Sequence, residues 1–145
     1  MQNITNIRIV PSNDTIKQIT LLVDSVGLPH ADFDAHPHCT IIYSPDFIDA
    51  KTIKLPTLKM PIIAKNAKLE IFNTKDDGYV LVLSFNCEYA KQCFDYVKEK
   101  YNVTTKYNEY KAHITLQKNI NKNYTSLPEI KFDLIFDKLL VTNSD

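Results

Sequence analysis

The sequence predicts an α+β domain built from two similar halves. Stretches with strand-like alternation and stretches with helical spacing follow in the order strand, helix, strand, strand, strand, helix, strand, strand. A His-x-Thr motif also opens an apolar strand in each half, at His38 and at His113. We therefore expect a bilobed arrangement, with two small antiparallel sheets, a central groove and helices outside. A chain of 145 residues fits one domain, 1–145, and no linker-like stretch divides it.

The first half of the chain predicts a strand, a helix and a motif strand. Residues 4–10 alternate between apolar and polar types, and Pro11 ends this strand. Residues 12–26 place apolar side chains every three or four positions, with Ser12 or Asn13 as the helix cap and a glycine at the end. The strand that carries the first motif covers 38–44.

The second half predicts a hairpin, a helix and the second motif strand. Asp77-Gly78 is typical of a hairpin tip between two apolar stretches. The polar loop at 119–130 is a candidate lid over a ligand. The predicted elements are a connector at 45–59 with at most a short helical turn, extended stretches at 60–72 and 79–85, a helix at 87–101, the motif strand at 112–118 and the last strands within 131–142.

The two motifs supply side chains suited to phosphodiester chemistry. Residues i and i+2 of a strand share a face, so His38 lies beside Thr40 and His113 beside Thr115. One neutral imidazole can accept a proton from an attacking hydroxyl, while the other, as imidazolium, can protonate the leaving oxygen. The threonine hydroxyls can donate to phosphate oxygens on which negative charge grows. Cys39 should point away from this face and is not expected to be a nucleophile.

The same parity predicts further side chains on the motif face. Ile42 and Ser44 follow the first motif, and Lys111 and Gln117 flank the second. Lys111 can offset phosphate charge and Gln117 can hydrogen-bond a base edge. The alternative for each is a rim residue without a ligand.

Four more residues are candidate substrate contacts. Tyr107 and Tyr110 precede the second motif and are placed to stack on a nucleobase, or else to close the edge of the core. Arg8, on the first strand, can bind a phosphate or a guanine bidentately. Lys138, on the last strand, is a further cation candidate.

Composition bounds the possible partners. Lys plus Arg and Asp plus Glu each number 17, so no net field attracts long nucleic acids. The three cysteines lack zinc spacing and suggest a cytoplasmic protein with reduced thiols. His30 and His36, with Asp32 and Asp34, lack a defined ligand geometry, so we expect no metal site. No signal peptide and no membrane-spanning stretch are predicted, and the sequence leaves the oligomeric state open.

The paired motifs, their spacing and the strand order resemble the two-histidine (2H) phosphoesterase superfamily. Within it, His-Cys-Thr-Ile-Ile-Tyr-Ser at 38–44 and Tyr-Lys-Ala-His-Ile-Thr-Leu at 110–116 are most similar to phage anti-CBASS proteins. The resemblance implies the bilobed 2H fold and a metal-independent, cofactor-free phosphodiesterase. Such an enzyme would degrade cyclic di- and trinucleotide messengers, including cyclic GMP-AMP, in the host cytoplasm. Proteins of this family also contact the substrate through an acidic residue near the C-terminus. No residue of this chain aligns with it directly, and Asp133 and Asp137 are the candidates.

Two other functions remain open from the sequence. One is another 2H activity, the opening of a 2′,3′-cyclic phosphate in RNA or in a small nucleotide. The other is a non-catalytic sponge that binds a cyclic nucleotide without cleaving it. Two complete motifs favour catalysis, because a sponge needs no pair of proton-transfer groups.

Overall fold

The computed structural model describes residues 4–26, 36–56, 59–120 and 127–144. It contains two helices and six strands, in a mixed α/β arrangement. The elements are β1 (Thr5–Pro11), α1 (Asn13–Val26), β2 (Cys39–Ser44), β3 (Ile62–Thr74), β4 (Gly78–Asn86), α2 (Glu88–Tyr101), β5 (His113–Ile120) and β6 (Leu134–Thr142), with a 3₁₀ turn at Ala50–Thr52. Half of the predicted lid, residues 121–126, lies outside the described residues, and its first two residues belong to β5.

All six strands belong to one antiparallel sheet that closes on itself. Its order is β1, β2, β5, β4, β3 and β6, and β6 returns to pair with β1. The predicted division into two sheets is therefore not confirmed. The reason lies at the two junctions between the halves, where β2 pairs with β5 and β6 pairs with both β1 and β3.

The final strand differs from the sequence prediction. Two strands were expected within 131–142, whereas the structure has the single strand β6. Its first residues pair with β3, with Leu134 opposite Ala64, and its later residues pair with β1, with Leu140 opposite Arg8. Because one strand serves two neighbours in succession, it needs no turn in between.

The other elements follow the predicted pattern closely. The Ser12 hydroxyl accepts a hydrogen bond from the Thr15 amide at 3.2 Å and caps α1, as the sequence predicts. The β3–β4 hairpin turns just before Gly78. The φ of Gly78 is 65°, a left-handed conformation that glycine adopts without steric cost. Helix α2 buries one face, composed of Ala90, Cys93, Phe94 and Val97.

Candidate active site

The two motif strands are neighbours in the sheet. Strand β2 pairs with β5 in an antiparallel ladder at Cys39 and Ile114. One residue further in each direction, this register sets Thr40 opposite His113 and His38 opposite Thr115. Opposed residues of a ladder point to the same face of a sheet. The structure therefore brings the four motif residues onto one face, with each threonine opposite the histidine of the other motif.

Neighbouring strands extend this surface, which we call the motif face. Thr40 lies opposite Arg8 on β1, and His113 lies opposite Ser84 on β4, which in turn opposes Lys68 on β3. The adjacent row alternates to the other side of the sheet and is buried throughout; it consists of Ile9, Cys39, Ile114, Leu83 and Leu69. The core thus packs against one side of these strands and leaves the motifs on the other.

Both histidine rings are held in the same way. Nδ1 of His38 lies 3.0 Å from the carbonyl oxygen of His36, and Nδ1 of His113 lies 2.9 Å from the carbonyl oxygen of Lys111. A carbonyl oxygen only accepts, so Nδ1 must carry the proton and donate in each case. In the neutral ring this leaves the lone pair on Nε2. Each imidazole is therefore oriented by its own backbone, two residues upstream, and Nε2 is the nitrogen that can accept a proton.

A β-bulge follows each motif immediately after its threonine. On β2, Thr40 and Ile42 oppose the consecutive residues Arg8 and Ile7, so Ile41 is an extra residue. On β5, Thr115 and Gln117 oppose the consecutive residues Val82 and Leu81, so Leu116 is extra. Bulges re-aim side chains and occur often beside active sites.

The bulges break the parity from which three residues were expected on the motif face. Ile42 and Ser44 are fully buried, and Gln117 is only 4% exposed and lies opposite the buried Leu81. A one-residue insertion reverses the inside–outside alternation beyond it, which period-two reasoning does not anticipate. The structure therefore does not bring Gln117 together with the motif residues.

Arg8 and Lys138 are both next to the motif face. Arg8 directly opposes Thr40 and is half-buried. Lys138 opposes Val10, two residues beyond Arg8 on the same side of β1, and its ammonium lies 3.7 Å from the Asp137 carboxylate. The two cations therefore lie on the side of the motif face that β1 and β6 form.

Tyr110 is partly buried and Tyr107 is at the surface. The Tyr110 ring lies against Phe94, with centroids 5.1 Å apart, and burial raises the pKa of its hydroxyl. Tyr107 is 62% exposed, and Lys106 lies 5.6 Å above its ring. Tyr107 is therefore the more exposed of the two, while the Tyr110 ring packs on α2 through Phe94.

Cys39 lies below the motif face, as its position between His38 and Thr40 predicts. Its side chain is fully buried, and burial raises the pKa of the thiol to about 12. The thiol therefore stays protonated near neutral pH and lacks the thiolate form that a nucleophile requires.

An acidic group beside the second motif was not singled out from the sequence. Glu70 accepts a hydrogen bond from Ser84, the residue opposite His113, and lies 3.9 Å from the Lys111 ammonium and 3.6 Å from that of Lys68. The Ser84 hydrogen bond, aided by the two lysines, lowers the pKa of Glu70 despite partial burial. Only the pairing of β3, β4 and β5 brings these residues together, and no local motif indicates it.

Lys111 and Phe72 join this group around His113. The Lys111 ammonium lies 4.6 Å from the centre of the Phe72 ring, which in turn meets the His113 imidazole edge-on at 5.5 Å. A cleft of about 440 Å³ opens beside them, lined by Lys68, Glu70, Ser84, Tyr110 and Lys111, with others. The cleft carries charges of both signs and reaches Ala112, the residue before His113, but the motif side chains themselves do not line it.

Within the described ranges, no three His, Cys, Asp or Glu side chains are grouped so that they could hold a metal ion. Of the loop residues considered for a metal, His30, Asp32 and Asp34 lie outside those ranges. Neither helix of the described part of the chain is long and apolar enough to cross a membrane.

Fold and site together define a class of protein, a small α/β protein whose two central strands present paired histidines and threonines on one face. The family model described as anti-CBASS protein Acb1 matches residues 5–142. The chain belongs to this family, and its role is to counter CBASS in the interaction between phage and bacterial host. No curated protein matches the chain.

Arg8 provides a first test of the site. We expect Arg8→Ala to lower kcat/KM for an anionic substrate by about 10- to 100-fold, mainly through KM. The loss of a charge-assisted hydrogen bond of roughly 1.5–3 kcal/mol has this size. Steady-state kinetics on the wild type and on Arg8→Ala measures the effect. Arg8→Lys, measured beside them, keeps the charge but not the planar guanidinium. Lys17→Ala on the exposed side of α1 is the control; equal KM values in Arg8→Ala and Lys17→Ala would remove Arg8 from the site.

Proposed function

We propose that this protein is a metal-independent phosphodiesterase that cleaves 3′–5′ bonds of cyclic di- and trinucleotide messengers, such as cyclic GMP-AMP. Cleavage destroys the signal on which CBASS defence depends. The observation that carries the proposal is the matched pair of histidines on one face, each with Nδ1 bonded to a carbonyl and Nε2 left for proton transfer. Membership of the anti-CBASS family supports the biological role.

The site can divide the reaction between its two halves. In the proposed scheme a ribose 2′-hydroxyl attacks the adjacent phosphorus, and Nε2 of one histidine accepts its proton. Nε2–H of the other protonates the departing 5′-oxygen, so the 3′–5′ bond breaks without a free alkoxide. The product ends in a 2′,3′-cyclic phosphate, which water can open in a second step.

The threonines and Arg8 serve the phosphate in this scheme. Histidines and threonines alternate around the group of four, because each threonine lies opposite the histidine of the other motif. In the scheme, a phosphate bound between the imidazoles therefore lies near both hydroxyls. Their donation to the non-bridging oxygens strengthens as charge develops in the transition state. Arg8, opposite Thr40, adds a permanent positive charge on the same side.

Chromatography of 3′,3′-cyclic GMP-AMP incubated with the protein in EDTA tests the proposal. We expect linear product from the wild type and none from His113→Ala. An analogue in which hydrogen replaces the ribose 2′-hydroxyls should remain intact, because it lacks the nucleophile. Inhibition by EDTA would contradict metal independence, and cleavage of the analogue would indicate attack by water.

Intact cyclic GMP-AMP with the wild type would overturn the proposal, and a binding titration would then separate the alternatives. Tight binding without cleavage is the behaviour of a sponge. Absence of binding would favour a different substrate, such as a 2′,3′-cyclic phosphate on RNA or on a nucleotide.

A further inference from the structure

The junction between the two motif strands has the least backbone pairing in the sheet. Within the described residues, β2 and β5 share one registered pair, Cys39 with Ile114, whereas β1–β2 and β4–β5 each share several. Yet this junction sets the distance between His38 and His113. A reaction that uses both imidazoles on one phosphate is sensitive to that distance, since an error of about 1 Å can cost about 100-fold in rate.

One side chain ties this junction together. The Tyr110 hydroxyl donates to the backbone carbonyl of Thr40 at 2.8 Å, across 70 residues of sequence. Tyr110 precedes His113 by three residues, so the bond joins the approach to the second motif directly to the first. Burial raises the pKa of Tyr110, so the phenol keeps the proton that it donates.

The surroundings of Tyr110 fix its hydroxyl in place. Its ring packs on Phe94 of α2. The phenol oxygen lies 3.3 Å from Sγ of Cys39, and the thiol stays protonated because burial raises its pKa to about 12. The Cys39 thiol can therefore donate to the phenol oxygen while the phenol donates to Thr40. This chain anchors the first motif, through its middle residue and its threonine, to the helix that supports the second half.

From these contacts we infer that Tyr110 is a positioning residue, which holds the two His-x-Thr motifs at the separation that proton transfer requires. It acts through its hydroxyl, which is bonded to the backbone carbonyl of Thr40. This inference rests on the proposed function for its catalytic consequence, while its structural content concerns the β2–β5 junction alone.

Tyr110→Phe tests the inference with little disturbance, because the ring and its contact with Phe94 remain. We expect kcat for cyclic GMP-AMP to fall about 10- to 100-fold while KM changes less than twofold. Tyr89→Phe is a matched control: the Tyr89 hydroxyl also donates to a backbone carbonyl, that of Pro56, at 3.0 Å, away from the motifs. It should lower the thermal midpoint to a similar extent and leave kcat unchanged.

A second readout needs no substrate and separates this inference from the proposed function. Amide hydrogen exchange should accelerate at Thr40 and Ile114 in Tyr110→Phe by more than the loss of global stability accounts for, and not in Tyr89→Phe. If the wild type cleaves nothing but this exchange pattern holds, the proposed function fails and the positioning role stands. Wild-type kcat in Tyr110→Phe, or exchange that matches the Tyr89→Phe control, overturns the inference.

Discussion

Replacing either motif histidine with alanine is expected to lower kcat by at least 100-fold, with KM changed far less. A positioned acid or base contributes about 10²- to 10⁴-fold, and the scheme uses one histidine in each role. Each ring is oriented by its own backbone carbonyl, at His36 and at Lys111, so truncation removes the proton carrier and leaves that backbone in place. Single-turnover cleavage of cyclic GMP-AMP by His38→Ala and His113→Ala measures the loss.

The chain offers a matched control two residues from the first motif. His36 is exposed, and it orients His38 through its backbone carbonyl, which an alanine at this position keeps. His36→Ala therefore removes an imidazole from the same segment and should keep wild-type kcat. The double variant at His38 and His113 should lose little more than the worse single variant, because acid and base act in one step. Near-normal cleavage by either single variant would contradict the acid–base scheme.

Sequence reasoning was most accurate where a physical signal is local. Alternation predicted β1 and the β3–β4 hairpin, with a turn before Gly78, because burial on one face and turn chemistry leave a mark every second residue. Helical spacing predicted a helix at 87–101, and α2 covers Glu88–Tyr101. The placement of Cys39 below the motif face follows from parity across three residues, too short a span for a bulge to intervene.

The sequence was least informative where strand register decides. The bulges after Thr40 and Thr115 bury Ser44 and Gln117, because one extra residue reverses the alternation and leaves no mark in composition. The same holds for Glu70, whose place beside His113 depends on the order β3, β4, β5 in space. The single closed sheet likewise depends on β6 pairing with two partners, which the apolar pattern of that strand does not specify.

The bulges also explain why a short motif can define this site. In each motif strand, the alternation of side chains between the core and the motif face holds from the histidine to the threonine and changes directly afterwards. The two side chains directly after each threonine are buried, so the rest of the motif face comes from neighbouring strands, with Arg8 on one side and Ser84 on the other. The reactive groups are thus local in sequence, whereas the groups that surround them are not.

The threonines lead to the second large expected effect. Thr40→Val and Thr115→Val should each lower kcat about 100- to 1,000-fold, the typical loss when one donor to a developing anion is removed. Valine keeps the shape and the strand preference of threonine, so the fold should be retained. Thr40→Ser and Thr115→Ser keep the hydroxyl and should recover most of the activity. Thr142→Val, on β6, removes a strand hydroxyl elsewhere and is the control.

The comparison of binding with turnover makes the threonine variants informative about mechanism. If the hydroxyls act on charge that grows in the transition state, substrate affinity measured with an uncleavable 2′-deoxy analogue should change much less than kcat. Equal losses in affinity and in kcat would instead mean that the threonines only hold the ground-state phosphate. Each threonine lies opposite the other motif's histidine, so the Thr40→Val loss should shrink in a His113→Ala background if the two act on one phosphate. Independent, additive losses would contradict a shared phosphate site between the two strands.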